Sequence, residues 1–333
     1  MKNNRKQDGG AVFIEKTIEN KKEKSFLTNF AGLSLKSKFS TRMKYDICSI
    51  GHITRDKVVT PEKTVYMSGG TSYYMTYAIS RLPKAVSYQL VTKVGESELP
   101  VVEKIKQMGV DTICYPSHDT VFFENIYGKD SNERRQRVLA KSDAFTVEEM
   151  EPLDAKIFHL GCLMADDFPP EVVECLADKG MVSIDVQGYL REVVNEQVHA
   201  VDWKDKQRIL ACTGIRKLNE EETRVITGEQ DIREAAKMIA KMGVKEVVIT
   251  LGSYGSTIYA DGEFHDIPPY QPARVVDATG CGDTFSAGYL YCRAQGADYD
   301  EAGRFAAAMC ALKLEHSGPF DRDIEAVRRI MGK

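Results

Sequence analysis

The hydrophobic positions of this chain fall into short continuous runs and helical stripes that follow one another in alternation. Residues 47–50 form an apolar run stopped by Gly51, as a strand buried on both faces requires. Residues 58–59 and 64–66 predict short strands on either side of Pro61, and a helical stripe covers 73–82. A run at 88–94 precedes a helix over 99–108, closed by Gly109, a residue suited to the left-handed turn that ends helices. Residues 112–114 and 121–126 alternate like sheet segments. Beyond them, runs at 156–161 and 182–185 flank a helix over 171–179, and 211–217 leads to a helix ending near Gly228. The stripe over 232–242 is amphipathic and stops at Gly243. Residues 246–250 predict a strand, 258–264 a hairpin about the turn pair Asp261-Gly262, and 302–314 a helix of small residues. Strand, helix and strand repeating at this spacing argue for a parallel sheet with helices on both faces.

Composition narrows the class without choosing a function. The chain has 333 residues, 43% hydrophobic and 28% charged, enough for one large α/β domain. A net charge of −4 points to neither nucleic acid nor an anionic membrane, and no apolar run has the roughly 18 residues of a membrane helix. Eight cysteines are scattered without a C-x-x-C pair, which argues against zinc and disulfide scaffolds and fits a reducing, cytoplasmic setting. Residues 1–42 read differently from the rest, with ten Lys and Arg against four Asp and Glu and no apolar core of a secretory signal. They are expected to be a mobile N-terminal extension, with 43–333 as the folded domain.

The densest chemistry lies where Val275-Val276 runs into Asp277-Ala278-Thr279-Gly280-Cys281-Gly282-Asp283, directly before an apolar, helix-compatible segment. Unpaired amides at a helix start, backed by the helix dipole, attract an anion, yet an acid, Asp283, sits beside them. On its own G-x-G-D reads as a strand-to-helix corner with Asp283 as a first-turn acid. The chemical reading is that the amides hold a migrating phosphoryl group while the carboxylate takes a proton from the attacking hydroxyl. No G-x-x-x-x-G-K-[ST] loop occurs and no G-x-G-x-x-G opens the first helix, so any nucleotide site is of another kind.

The string from Asp277 to Gly288 resembles the C-terminal signature of the PfkB (ribokinase-like) carbohydrate kinases, D-T-x-G-A-G-D, with Ala278 for the usual Thr and Cys281 for the usual Ala. Three further motifs stand in that family's order. Asp56 falls where ribokinase-like kinases hold substrate hydroxyls, and Gly69-Gly70 where their backbone approaches the sugar. The family has Asn four residues after the second glycine, whereas this chain has Tyr74. Asn219 and Glu222 match the N-x-x-E motif, which organises magnesium and the phosphates through water. Read locally, the same residues are a helix N-cap and first-turn acids. Thr250, Gly252 and Gly255 resemble the T-x-G-x-x-G loop beside the ATP phosphates and ribose.

The resemblance implies a ribokinase-like α/β/α sandwich with a mostly parallel central sheet and a small β-sheet lid, its strands drawn from 56–68 and 112–127. It implies ATP and Mg2+ as cofactors, K+ as a monovalent cation on Asp277 and Thr279, and a homodimer contact through the lid. Asp283 would be the base, at an ordinary carboxylate pKa of about 4, with the amides of Gly280, Cys281 and Gly282 as the anion hole. The acceptor would be a small sugar or polyol. The Gly69-Gly70 corner, residues 123–127 and the turn over 185–191 look like inositol-kinase-type members, which places a cyclitol ahead of a free sugar. A nucleoside kinase of the same family and a non-catalytic sugar- or nucleotide-binding relative stay open.

Overall fold

The computed structural model describes residues 45–128 and 134–332. The expectation for 1–42 lies outside the described residues. Among those described, a nine-stranded sheet carries β1 (Tyr45–Gly51), β4 (Tyr88–Val94), β5 (Asp111–Pro116), β8 (Ala155–Gly161), β9 (Met181–Asp185), β12 (Ile215–Asn219), β13 (Glu246–Thr250), β14 (Ser256–Ala260) and β15 (Glu263–Ile267). Its order is β15-β14-β13-β12-β9-β8-β1-β4-β5, parallel from β13 to β5, with β14 and β15 an antiparallel hairpin at one edge.

Both faces of this sheet are buried, which is why its strands read as unbroken apolar runs rather than alternating ones. Along β13, Val247 and Ile249 face one core and Val248 the other. The first core holds α3 (Val147–Met150), α4 (Pro170–Ala177), α5 (Lys206–Ala211), α6 (Glu220–Thr227) and α7 (Ile232–Lys241). The second holds α1 (Thr71–Ser80), α8 (Cys281–Ala294), α9 (Tyr299–Lys313) and α10 (Ile324–Ile330). A smaller cluster packs α2 (Leu99–Gln107) against β4 and β5.

A separate six-stranded sheet, in the order β10-β11-β7-β6-β2-β3, stands apart from the central one. It is built from β2 (Thr54–Val59), β3 (Thr64–Gly69), β6 (Phe122–Tyr127), β7 (Arg134–Ala140), β10 (Arg191–Val194) and β11 (Gln197–Ala200). Residues 112–114, assigned to this lid from the sequence, instead belong to β5 at the edge of the large sheet, in parallel register with β4. The reason is packing: Cys114 joins Leu90, Val94, Val102 and Ile105 in the cluster under α2. Two further lid strands, β10 and β11, come from a segment the sequence left unassigned.

The order of connections reverses at β1, since β4 and β5 lie on one side of it and β8, β9, β12 and β13 on the other. Crevices at the carboxyl ends of parallel strands next to such a reversal are the usual ligand sites of open α/β sheets. The start of α1 meets the end of β1 there, where a β-carbon on Gly51 would lie 2.5 Å from the Ser72 hydroxyl.

Candidate active site

Helix α8 begins in a turn that only glycine takes without strain. Gly280 is its N-cap at φ 77°, and a β-carbon there would lie 2.4 Å from the Tyr74 ring. Tyr74 is buried on α1, so the departure from the family's Asn has a tertiary meaning: the ring packs on the Gly280 corner. Its hydroxyl is buried without a hydrogen-bond partner among the described residues. Burial, then the negative charges of Asp56, Asp283 and Asp277, push the Tyr74 hydroxyl well above the ordinary tyrosine range. Asp277 and Asp283 from one segment, and Asp56 from a distant one, therefore act on one phenol.

The second glycine corner closes on the first. Gly70 caps α1 at φ 94°, and a β-carbon on it would lie 2.5 Å from the His52 carbonyl. Gly69 lies against Asp56, whose Oδ2 would be 2.4 Å from an added β-carbon, and Asp56 Oδ1 accepts a 2.7 Å hydrogen bond from the Thr54 hydroxyl. Tyr74 N–H, in the first turn of α1, donates to the Gly70 carbonyl at 3.1 Å, and the same residue's ring lies on Gly280. One side chain, Tyr74, thus connects the Gly69-Gly70 corner to the start of α8.

Asp283 is not an ordinary carboxylate. Burial first, and the charge of Asp185 second, raise its pKa to about 6, against the opposing pull of Lys217 and the Thr71 hydrogen bond. The expectation of about 4 is thereby corrected, because the carboxylate is partly desolvated and a second acid acts on it. Lys217 is the residue that sequence reasoning missed. It pairs with Asp185 at 3.0 Å across β9 and β12, and its Nζ would lie 2.9 Å from a β-carbon on Gly282. Burial acts to lower its pKa, but Asp185, Glu222 and Asp283 together hold it above the usual lysine value. No local signal marks Lys217; it stands beside Arg216 in the short strand Ile215–Asn219, and nothing in the sequence distinguishes the two.

Asn219 and Glu222 form a reciprocal capping box on α6: Glu222 N–H donates to Asn219 Oδ1 at 2.8 Å, and Asn219 N–H to Glu222 Oε2 at 2.9 Å. Glu222 is buried, and burial followed by the charge of Asp185 raises its pKa. The helix-start reading is thus borne out, and the charge of Asp185 acts on the same Glu222 carboxylate. Thr250 ends β13 with its hydroxyl donated to the Leu218 carbonyl, and the turn beyond it contains Gly252 at φ 57° and Gly255 at φ 97°. Asp277 Oδ1 accepts from Thr279 N–H at 2.9 Å.

One expected feature differs. The Cys281 N–H donates to the Ala278 carbonyl at 3.1 Å, so of the three amides named for the anion hole this one is already engaged inside the turn. The amides of Gly282 and Asp283, the next positions of α8, lack intrahelical acceptors by the geometry of a helix start.

An α/β/α sandwich with glycine corners meeting at one carboxylate, at the strand ends of a parallel sheet, defines the ribokinase-like class of phosphotransferases that act on alcohol groups. The chain belongs to the pfkB family of carbohydrate kinases: residues 41–325 match the family described as pfkB family carbohydrate kinase. A cytidine kinase of Thermococcus kodakarensis is 30% identical over 272 residues, 78% of this chain and 92% of that protein. Among solved structures, a pyrophosphate-dependent kinase in the ribokinase family, complexed with a pyrophosphate analog and myo-inositol, is 26% identical with a TM-score of 0.76, covering 85% of this chain and 99% of that one. Arabidopsis thaliana ribokinase complexed with ribose and ATP shares the fold at a TM-score of 0.71 and 21% identity, covering 87% of this chain and 100% of that one.

Proposed function

We propose that this chain transfers the γ-phosphoryl group of Mg2+-ATP to a hydroxyl of a small sugar or polyol, with a cyclitol as the leading class. The observation that carries the reading is Tyr74, bonded through its amide to the Gly70 carbonyl and packed by its ring on Gly280, which sets the acceptor corner against the helix start proposed to hold an anion. A hydroxyl seated by Asp56 and the Gly69-Gly70 backbone would lie against the Asp283 carboxylate, with phosphoryl oxygens on the first amides of α8. With a pKa of about 6, Asp283 is mostly ionised at neutral pH and is a better proton acceptor than an exposed aspartate. It need not deprotonate the alcohol fully, because proton transfer accompanies P–O bond formation in a loose transition state.

The donor set suits Mg2+-ATP. Asp185, Glu222 and Asp283 act on one lysine, Lys217, leaving excess negative charge on hard oxygen atoms, the chemistry a divalent cation takes. Asn219 and Glu222 would hold Mg2+ through its water shell, where it would neutralise phosphate charge. Thr250, Gly252 and Gly255 would line the nucleotide side. The lid's edge strand β3 exposes Val65 and Tyr66, which supports a homodimer contact there.

A second reading, a nucleoside as acceptor, is favoured by the similarity to the cytidine kinase, which extends over 92% of that protein. One experiment separates the readings. The purified chain is assayed for phosphorylated product with myo-inositol, ribose, fructose, sugar acids and nucleosides, using Mg2+-ATP and, separately, pyrophosphate as donor. Turnover of polyols or sugars with ATP is expected; turnover of nucleosides alone moves the assignment to the second reading. ATP binding without product from any acceptor would leave a binding relative that has lost turnover. Asp283→Asn should cut kcat on the order of 10²–10⁴-fold while ATP still binds; a near-normal kcat refutes the base.

A further inference from the structure

Lys313, the last residue of α9, is completely buried, and among the described residues no acid lies within ion-pair distance of it. Its ammonium is instead satisfied by backbone: Nζ donates to the Asp277 carbonyl and to the His316 carbonyl, both at 3.2 Å. A buried charge without a counter-ion is costly unless oxygen dipoles converge on it. Here they come from two sources, the anion-binding loop and the turn after α9, at the negative end of that helix's dipole. The same two segments are joined by backbone, since Val276 N–H donates to the Leu314 carbonyl at 2.7 Å. One turn earlier on α9, the Cys310 thiol donates to the Cys281 carbonyl at 3.1 Å. The helix thus grips the loop at 277 and at 281, on either side of Gly280.

A cation held by backbone carbonyls is how proteins hold K+, and Asp277 and Thr279 are the residues the family resemblance assigned to a monovalent cation. The residues present do not fit that ion, because the ammonium already takes the Asp277 carbonyl and would repel a second positive charge beside it. We propose that Lys313 is a covalently attached monovalent cation that positions the Asp277–Gly280 turn, so that this kinase works without K+. Lys313 touches neither reactant; it acts through the turn, whose Asp277 Oδ1 in turn holds the Thr279 amide. The inference builds on the kinase reading, but its first readout needs no acceptor, so the two can fail separately.

The test compares the full chain in Na+, K+ and tetramethylammonium buffers of equal ionic strength, by melting temperature and, with an accepted substrate and Mg2+-ATP, by initial rate. The wild type is expected to give the same melting temperature and rate in all three. Lys313→Ala should lose on the order of 10²-fold in kcat through misplacement of the turn, with little change in the acceptor KM. K+ or ammonium ion should restore rate and melting temperature saturably, while Na+ should not. A wild-type melting temperature or rate that rises saturably with K+ overturns the proposal. So does a Lys313→Ala loss that no monovalent cation reverses, or full activity of that variant in tetramethylammonium. Lys313→Met, which keeps the apolar stem, is read by the same criteria, and if neither variant folds the wild-type cation series decides.

Discussion

Three carboxylates, Asp185, Glu222 and Asp283, act on the single ammonium of Lys217, and the balance among them sets the behaviour of the candidate base. Burial and Asp185 raise the Asp283 pKa to about 6 while Lys217 lowers it, so the acid limb of kcat/KM should fall near pH 6 rather than near 4. Lys217→Met removes the lowering influence and should move that limb to higher pH. A pH–rate profile that stays in place would show that Lys217 does not act on the base. The same shift links to stability. An acid whose pKa is raised by folding contributes stability that is fully present below the unfolded value and is lost as pH rises through about 6. Asp283 was legible as an acid in an anion-binding corner from sequence alone. Its altered titration was not, because Asp185 and Lys217 reach it only through strand pairing between β9 and β12.

At the scale of elements, local chemistry and local structure agree where a motif is short-range. The Asn219–Glu222 spacing specifies a capping box in any context, and the structure contains it. Asn219→Ala should cost about 1 kcal/mol, seen as a fall in melting temperature of about 2–4 °C, together with weaker Mg2+-ATP binding if Glu222 loses its orientation. An unchanged nucleotide affinity would reduce the motif to a helix cap. Elements that depend on partners were less legible. Residues 112–114 and 121–126 carry similar alternating patterns, yet one pairs with β4 in the large sheet and the other with β2 and β7 in the lid. The hairpin β10–β11 was missed because its strands are only four residues long and half polar, too short for a periodic pattern to show. Val193 and Val198 pack against the lid cluster of Val121, Phe123 and Val138, and that contact organises the hairpin.

In the molecule as a whole, the small sheet carries Asp56 toward Tyr74 and the start of α8, so under the proposed function its cohesion bears on the acceptor. Glu124 in β6 is buried between Lys57 and Arg137, each 2.8 Å away, which fastens β2, β6 and β7 together beside Asp56. Glu124→Gln should raise the acceptor KM roughly 2- to 5-fold, the scale of a partly exposed ion-pair network, and leave kcat near the wild-type value. An unchanged KM would separate the lid's charge clamp from substrate binding. The chain by itself determined the alternation of elements, the two-sided burial of the central strands and the identity of the corner residues Gly69, Gly70, Gly280 and Asp283. Those are set by periodicity and by backbone angles, which act over a few residues. Tertiary structure alone decided that Tyr74 covers Gly280, that Lys217 stands beside Gly282 and that Lys313 bonds the Asp277 carbonyl. Each of these contacts joins residues dozens to hundreds of positions apart, and only the folding of parallel strands into one sheet brings their ends together.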